Sequence, residues 1–263
     1  MTQEHLRDHY AVWISEEILG VGSPPVYEVP LQELTDEVAK VLGYPDWCID
    51  VCKAPETAWM ERIHLDDEAP DARQQFLAEF SKYAPVALAA CDGNAWWVAG
   101  YHDDPGGADQ FLLGPRGDVT RIGDTLRAAG FRQWHEIARF VAYLNGFRED
   151  YPPSGGLTKS PDDAPWILTE EYVQGSFGEF SLGNAWDPCL AFFTSRGGDA
   201  LLINHVGACA WWPAGSKSLH EPFADDLNSC VEQWIAFRWT ARCRARPDNA
   251  CLYPFGPFGL PPT

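Results

Sequence analysis

Base is scarce in this chain: 19 Lys and Arg stand against 38 Asp and Glu, for a formal net charge of −19. A surface so negative repels phosphate backbones, which excludes direct nucleic-acid binding as the expected activity. Cysteine is sparse too. Eight in 263 residues is far below the density of a disulfide scaffold. No window approaches the ~18 consecutive apolar residues of a membrane span. The opening MTQEHLRDHYAVWISEEILG is charged and amphipathic, unlike a basic segment followed by an apolar run and a cleavage site. These absences lead us to expect a cytoplasmic protein with reduced thiols that binds neither membrane nor nucleic acid. No motif of high chemical specificity is present either.

What is abundant is aromatic. The chain holds 12 Trp, 14 Phe and 9 Tyr, the residue types that dominate cores and interfaces. Ala95-Trp96-Trp97-Val98-Ala99-Gly100 recurs as Ala210-Trp211-Trp212-Pro213-Ala214-Gly215, identical at five of six positions. Each copy follows an apolar run and a Gly turn, and each precedes a helix-like run with Gln-Trp, at Gln133-Trp134 and Gln233-Trp234. The repeat predicts an α+β fold of two tandem units, one unit present twice, each an antiparallel sheet packed with helices.

Local patterns place the elements. Leu6, Tyr10, Trp13, Ile14 and Ile18 have helical spacing and predict a first helix. Leu31, Leu34, Val38 and Leu42 predict a second helix over 31–42, ended by Gly43; a third is expected over about 71–83. Residues 46–70 are ambiguous. Val86–Cys91, Asp92-Gly93 and Ala95–Tyr101 read as a hairpin with a two-residue turn. Phe111–Leu113 and Val119–Ile122 read as another, turning at Arg116-Gly117-Asp118. Asp124 is a candidate cap for a helical region reaching Leu144, split by Gly130. Tyr151–Pro165 is rich in Pro and Gly and reads as a linker or surface loop. Leu190–Thr194, Asp199–Asn204 and Ala208–Trp212 read as strands, and Leu227 onward as a helix. The expected organisation is residues 1–150 as N-terminal helices plus a first unit, 166–246 as a second unit, and 247–263 as a Pro/Gly-rich tail.

Gly197-Gly198-Asp199-Ala200-Leu201-Leu202-Ile203-Asn204, then Ala210-Trp211-Trp212, then Pro222–Leu227 leading to Trp239, and upstream Phe140–Gly146, resemble the SUKH superfamily over about residues 135–242. In that pattern a Gly-Gly-Asp turn opens a core strand, an aromatic strand follows and a helix closes the unit. Residues 86–144 look like a diverged copy without that turn. The resemblance implies an immunity protein that neutralises a bacterial toxin domain, or a binding scaffold, and it carries no catalytic residues.

Candidate chemistry is thin. Cys48 and Cys52 stand four apart with His64 downstream, a partial zinc set lacking a fourth ligand; buried apolar cysteines are the better reading. His102-Asp103-Asp104 with Cys91 could be drawn as base, acid and nucleophile, yet the surrounding residues read as a solvated loop. His205 lies at a turn beside Gly207. No metal, cofactor or catalytic residue is expected. Paired carboxylates such as Asp103-Asp104 and Asp225-Asp226 read as a negative surface suited to a basic partner. Successive strand residues face opposite ways, so one Trp of each pair is expected in the core and the other exposed, used in a contact or, as Trp more often is, covered by a neighbouring helix; an interface anchor is the alternative. The expected partner-binding residues are therefore Trp97, Asp103, Asp104, Trp212, Asp225 and Asp226, directed at a basic toxin domain. The alternative is a small-molecule enzyme or ligand-binding module with an aromatic pocket between the units.

Overall fold

The computed structural model describes residues 3–12, 25–64, 74, 77–78, 80–101, 110–145, 147–149, 155–156, 167–177, 181–195, 200–212, 219 and 221–233. An N-terminal layer comes first: α1 (Gln3–Tyr10), β1 (Ala11–Val12), β2 (Val26–Pro30), α2 (Asp36–Leu42), α3 (Asp46–Val51) and α4 (Pro55–Ile63). The first helix ends earlier than expected, at Tyr10. Ala11 and Val12 instead pair with Tyr27 and Val26; Trp13, Ile14 and Ile18 lie outside the described residues. The second helix begins at Asp36, not Leu31. Thr35 caps it by accepting from the Val38 N–H at 3.3 Å. Asp36 and Glu37 sit in its first turn, where carboxylates oppose the positive end of the helix dipole. Gly43 closes it in the left-handed region, φ 74°, as glycine readily does.

The chain then builds β3 (Tyr83–Cys91), β4 (Asn94–Tyr101) and β5 (Gln110–Leu113), followed by α5 (Val119–Ala128) and α6 (Trp134–Tyr143). Asp92 and Gly93 take positive φ, 49° and 77°, and form the expected two-residue turn. The second expected hairpin does not form. β5 pairs with β4, and Val119–Ile122 starts α5. Asp118, not Asp124, is the cap: its Oδ1 accepts from Thr120 N at 2.9 Å and Arg121 N at 3.1 Å. A capped amide end outweighs the strand preference of the three β-branched residues Val119, Thr120 and Ile122. Gly130, φ 84°, separates α5 from α6 as expected.

The remaining elements are β6 (Arg148–Glu149), β7 (Gly155–Gly156), β8 (Ile167–Leu168), α7 (Glu170–Phe177), β9 (Cys189–Ser195), β10 (Ala200–Asn204) and β11 (Cys209–Trp212), then a helix over 227–233, here α8. The fold is α+β. Two antiparallel blocks of four strands, β2–β5 and β8–β11, stand in tandem. The two-residue strands β6 and β7 join them into one ladder, in the order β1-β2-β3-β4-β5-β6-β7-β9-β10-β11. Gly155 and Gly156, expected within a linker, thus bond to Ser195 and Thr194.

One core cluster runs from Leu6 to Val231 on one face of the sheet and includes residues of both blocks. Its centre is a ring cluster. Phe80 stacks on Phe111 with centroids 4.9 Å apart, Tyr83 meets Phe111 edge-on at 4.7 Å, and Phe147 lies 5.6 Å from Phe111. Burial of each such ring contributes about 1.5–3 kcal/mol. The opposite face carries two smaller clusters. One surrounds Trp96 and Val98; the other surrounds Trp212, Trp186, Leu202 and Val173 of α7.

Both tryptophan pairs lie on the second strand of a hairpin, but in opposite register. Leu88 opposes Trp97, and both join the central cluster while Trp96 faces away. In the second block Leu201 opposes Trp211; these face the central cluster, and Trp212 faces away. The repeated hexapeptide is therefore offset by one residue relative to the core. A one-residue slip exchanges every side chain between faces, so the sequence identity does not mark structurally equivalent positions.

Candidate interaction surface

Of the six expected contact residues, Trp97, Trp212, Asp225 and Asp226 lie among the described residues, and Trp97 and Trp212 belong to different core clusters. Trp97 and Trp212 were to be anchors, and that expectation is corrected. None of Trp96, Trp97, Trp211 and Trp212 is more than 7% exposed. Trp97 lies edge-on to Trp59 of α4 at 5.6 Å and 6.3 Å from Trp47. Trp212 packs with Val173 of α7 and with Leu182 and Trp186. Alternation does send the two members of each pair to opposite faces, but both faces are covered at these positions. Asp225 is exposed. Asp226 is half-buried, and its Oδ1 accepts from Ser229 N at 2.8 Å, which makes it the cap of α8. Asp103 and Asp104 lie outside the described residues.

A larger set of exposed acids lies elsewhere among the described residues. Glu33, Asp36, Glu37, Asp46, Asp50, Glu56 and Glu61 are all exposed between residues 25 and 64, against Lys40 and Lys53. Lys53 is held by Asp50 at 2.7 Å; that contact, and the fields of Asp50 and Asp36, raise its pKa. The third cation of this stretch, Arg62, is buried. The α2–α4 layer thus presents carboxylates with little cationic compensation. By contrast α5, α6 and their flanks expose Arg116, Arg121, Arg127 and Arg132. Arg127 pairs with Asp124 at 2.7 Å and lies over the Trp134 ring at 5.5 Å. The overall negative charge is therefore unevenly spread. Scattered pairs of acids in the sequence draw the eye, yet these exposed acids lie before and along three short helices, with only Asp36 and Glu37 adjacent.

Arg62 is the most demanding buried group. Its Nε donates to Gly114 O and its Nη2 to Tyr143 O, each at 2.7 Å. Burial lowers its pKa from the usual arginine value; Tyr143 opposes and Arg116 adds to that shift. Arg116 in turn donates to Arg62 O at 3.4 Å and to His64 O, closing the C-terminal end of α4. Burial pushes the Tyr143 phenol up to about 12, against the lowering fields of Arg62 and Arg116. A deprotonated phenol is thereby excluded at neutral pH. Only the helical spacing of Trp59, Arg62 and Ile63 hinted that this arginine turns inward.

Burial holds Cys48, Cys52 and Cys91 as thiols rather than thiolates. Cys48 is fully buried, and Cys52 Sγ donates to Cys48 O at 2.8 Å. Burial raises both thiols, and Cys52 adds to the rise at Cys48. A zinc site needs thiolates, and no group of three or more His, Cys, Asp or Glu among the described residues could hold a metal ion. The Cys91 thiol is likewise raised, by burial and then by Asp92; its imagined partners His102, Asp103 and Asp104 lie outside the described residues. His205 belongs to the β10–β11 turn, where its carbonyl accepts from Arg132 N at 2.9 Å. Asn204 holds that turn, its Oδ1 accepting from Val206 N and Ala208 N at 3.2 and 2.9 Å.

Among the described residues no helix is long and apolar enough to cross a membrane. No known family profile, no curated protein and no solved structure matches the chain.

Proposed function

We propose that this chain works by binding a basic protein, as an immunity protein acting in the cytoplasm against a bacterial toxin domain. The observation that carries the reading is the acidic stretch from Glu33 to Glu61, where seven carboxylates are exposed with two lysines among them. Such a stretch attracts a cationic partner, accelerates encounter and rejects acidic competitors. The SUKH-like motifs around Ala200–Asn204 and Trp211 support the same class. A nuclease domain is the favoured target, because proteins that hold phosphate are basic. Asp225, exposed beside α8, and Asp103-Asp104 remain proposed contributors to the contact.

The test is co-expression with toxin domains encoded beside the gene, followed by gel filtration and a survival assay. A complex and protection are expected. Replacing Asp50 and Glu61 together by Ala should lower the association rate and flatten its dependence on salt, with little change in the urea midpoint. Neither complex nor protection with any such neighbour would end the reading.

A further inference from the structure

Arg62 keeps one nitrogen unanswered. Its Nε and Nη2 donate to Gly114 O and Tyr143 O, each at 2.7 Å. Its Nη1 is buried and has no hydrogen-bond partner, in a residue only 7% exposed. Both partners that Arg62 does have are uncharged carbonyls. A second cation shares the place. Arg116 Nε donates to Arg62 O at 3.4 Å and its Nη2 to Glu61 O at 3.2 Å. The guanidinium carbons of Arg62 and Arg116 stand 5.7 and 6.0 Å from the centroid of one ring, that of Tyr143. Neither arginine forms an ion pair with a carboxylate among the described residues.

The charges gathered there do not balance. The two guanidiniums are full positive charges. The C-terminal ends of α4 and α6, whose carbonyls they bind, each supply roughly half a negative charge, which leaves an excess of about one positive charge. The Tyr143 phenol adds none, because burial keeps it protonated. Burial first, and then the field of Arg116, disfavour the charged form of Arg62, and a buried charge without a counter-charge is costly. We propose that Arg62 Nη1, with the neighbouring charge of Arg116, forms a binding site for one small monovalent anion of the chloride class. The charge excess sets the valence. A guanidinium offers only N–H donors, so the occupant must be an acceptor. Nη1 is sealed from solvent, so a single-atom ion suits it better than phosphate or an organic carboxylate, and it enters as the end of α4 opens locally. Gly114 and Tyr143 lie 52 and 81 residues from Arg62, so only the folded chain assembles the site, and the anion stabilises that state by mass action.

Chloride itself is the probe. The full chain is melted while sodium chloride replaces sodium gluconate at constant ionic strength, so that general screening stays fixed. Tm should rise by several degrees and level off, as a single saturable site requires, and bromide should reproduce the curve. Arg62→Met should lose the response. Because that variant also loses stability, Arg116→Gln gives an independent reading. Arg116 is exposed, so its replacement leaves the core and Nη1 in place but removes the second charge, and several-fold more chloride should be needed for half the effect. Arg127→Gln, which removes an exposed cation on α5, should leave the curve unchanged. A Tm that does not move with chloride, or a response kept in full by Arg62→Met or by Arg116→Gln, would overturn the proposal and leave Nη1 to a bridging water.

Discussion

Arg62 and Tyr143 bind each other's helix in both directions. Arg62 Nη2 donates to Tyr143 O at 2.7 Å, and the Tyr143 hydroxyl donates to Ile63 O at 2.9 Å. The guanidinium of Arg62 also stands 5.7 Å from the Tyr143 ring centroid, and that of Arg116 stands 6.0 Å from it. Carbonyls at the C-terminal ends of α4 and α6 lack intrahelical donors. Here the cations supply them, where the helix dipole is negative. This joins the acidic N-terminal layer to the α5–α6 pair through polar contacts rather than through apolar packing alone.

Removing that cation should be costly. In Arg62→Met the carbonyls of Gly114 and Tyr143 lose charged donors inside the core, and we expect a loss of about 2–4 kcal/mol in urea unfolding. Arg62→Lys should recover little, because an ammonium lacks the planar fork that reaches both oxygens. A Met variant as stable as the parent would show that the arginine is dispensable.

Trp97 should behave as a core residue and not as a contact residue. Trp97→Ala is expected to cost about 3–5 kcal/mol through lost burial and a residual cavity. Trp97→Phe should cost less and leave association with a basic partner unaltered. Undiminished stability in the Ala variant, read from thermal and urea melts, would contradict its placement against Trp59.

Gly207 and Gln133 are in contact across the join between the two blocks. Gly207 has φ +106°, and an added Cβ would lie 2.7 Å from Gln133 Oε1. Gly207→Ala therefore combines a strained backbone with a clash, and should destabilise by about 1–3 kcal/mol. Gln133 Oε1 is buried without a hydrogen-bond partner, so Gln133→Ala should cost little alone and partly rescue Gly207→Ala. A double-mutant cycle showing strict additivity would rule out the contact.

Glu170 ties the start of α7 to the loop before β9. Its carboxylate accepts from Gln174 Nε2 and from Leu182 N, each at 2.7 Å. Hydrogen bonding by Ser181 first, then by Leu182, Gln174 and Gly183, holds its pKa below the usual glutamate value, against a smaller opposing effect of burial. A depressed folded pKa gives stability that is complete above the ordinary value of about 4.3 and is lost as pH falls through the folded value. The gap in urea midpoint between parent and Glu170→Gln should thus be open at neutral pH and close in acid below about pH 4. A gap constant with pH would refute the linkage.

The sequence by itself determined the features that depend on near neighbours. Asp92-Gly93 specified a hairpin because the turn requires positive φ at both residues. Gly43 and Gly130 marked helix ends because the left-handed conformation suits glycine there. Alternation announced that the two members of each Trp pair must part, and the α+β class followed from the same local periods. What covers each strand face lies beyond such patterns. Trp97 is buried because Trp59, from a helix in an ambiguous stretch, lies against it. Trp212 is buried because Val173 of α7 and Trp186 pack on the far face. The fate of Val119–Ile122 turned on Asp118 capping a helix, and the shared hexapeptide concealed a one-residue offset set by hairpins with different turns. Arg62 shows the limit most directly: on a helix with an exposed Glu61 beside it, only the carbonyls of Gly114 and Tyr143, 52 and 81 residues away, decide that it turns inward.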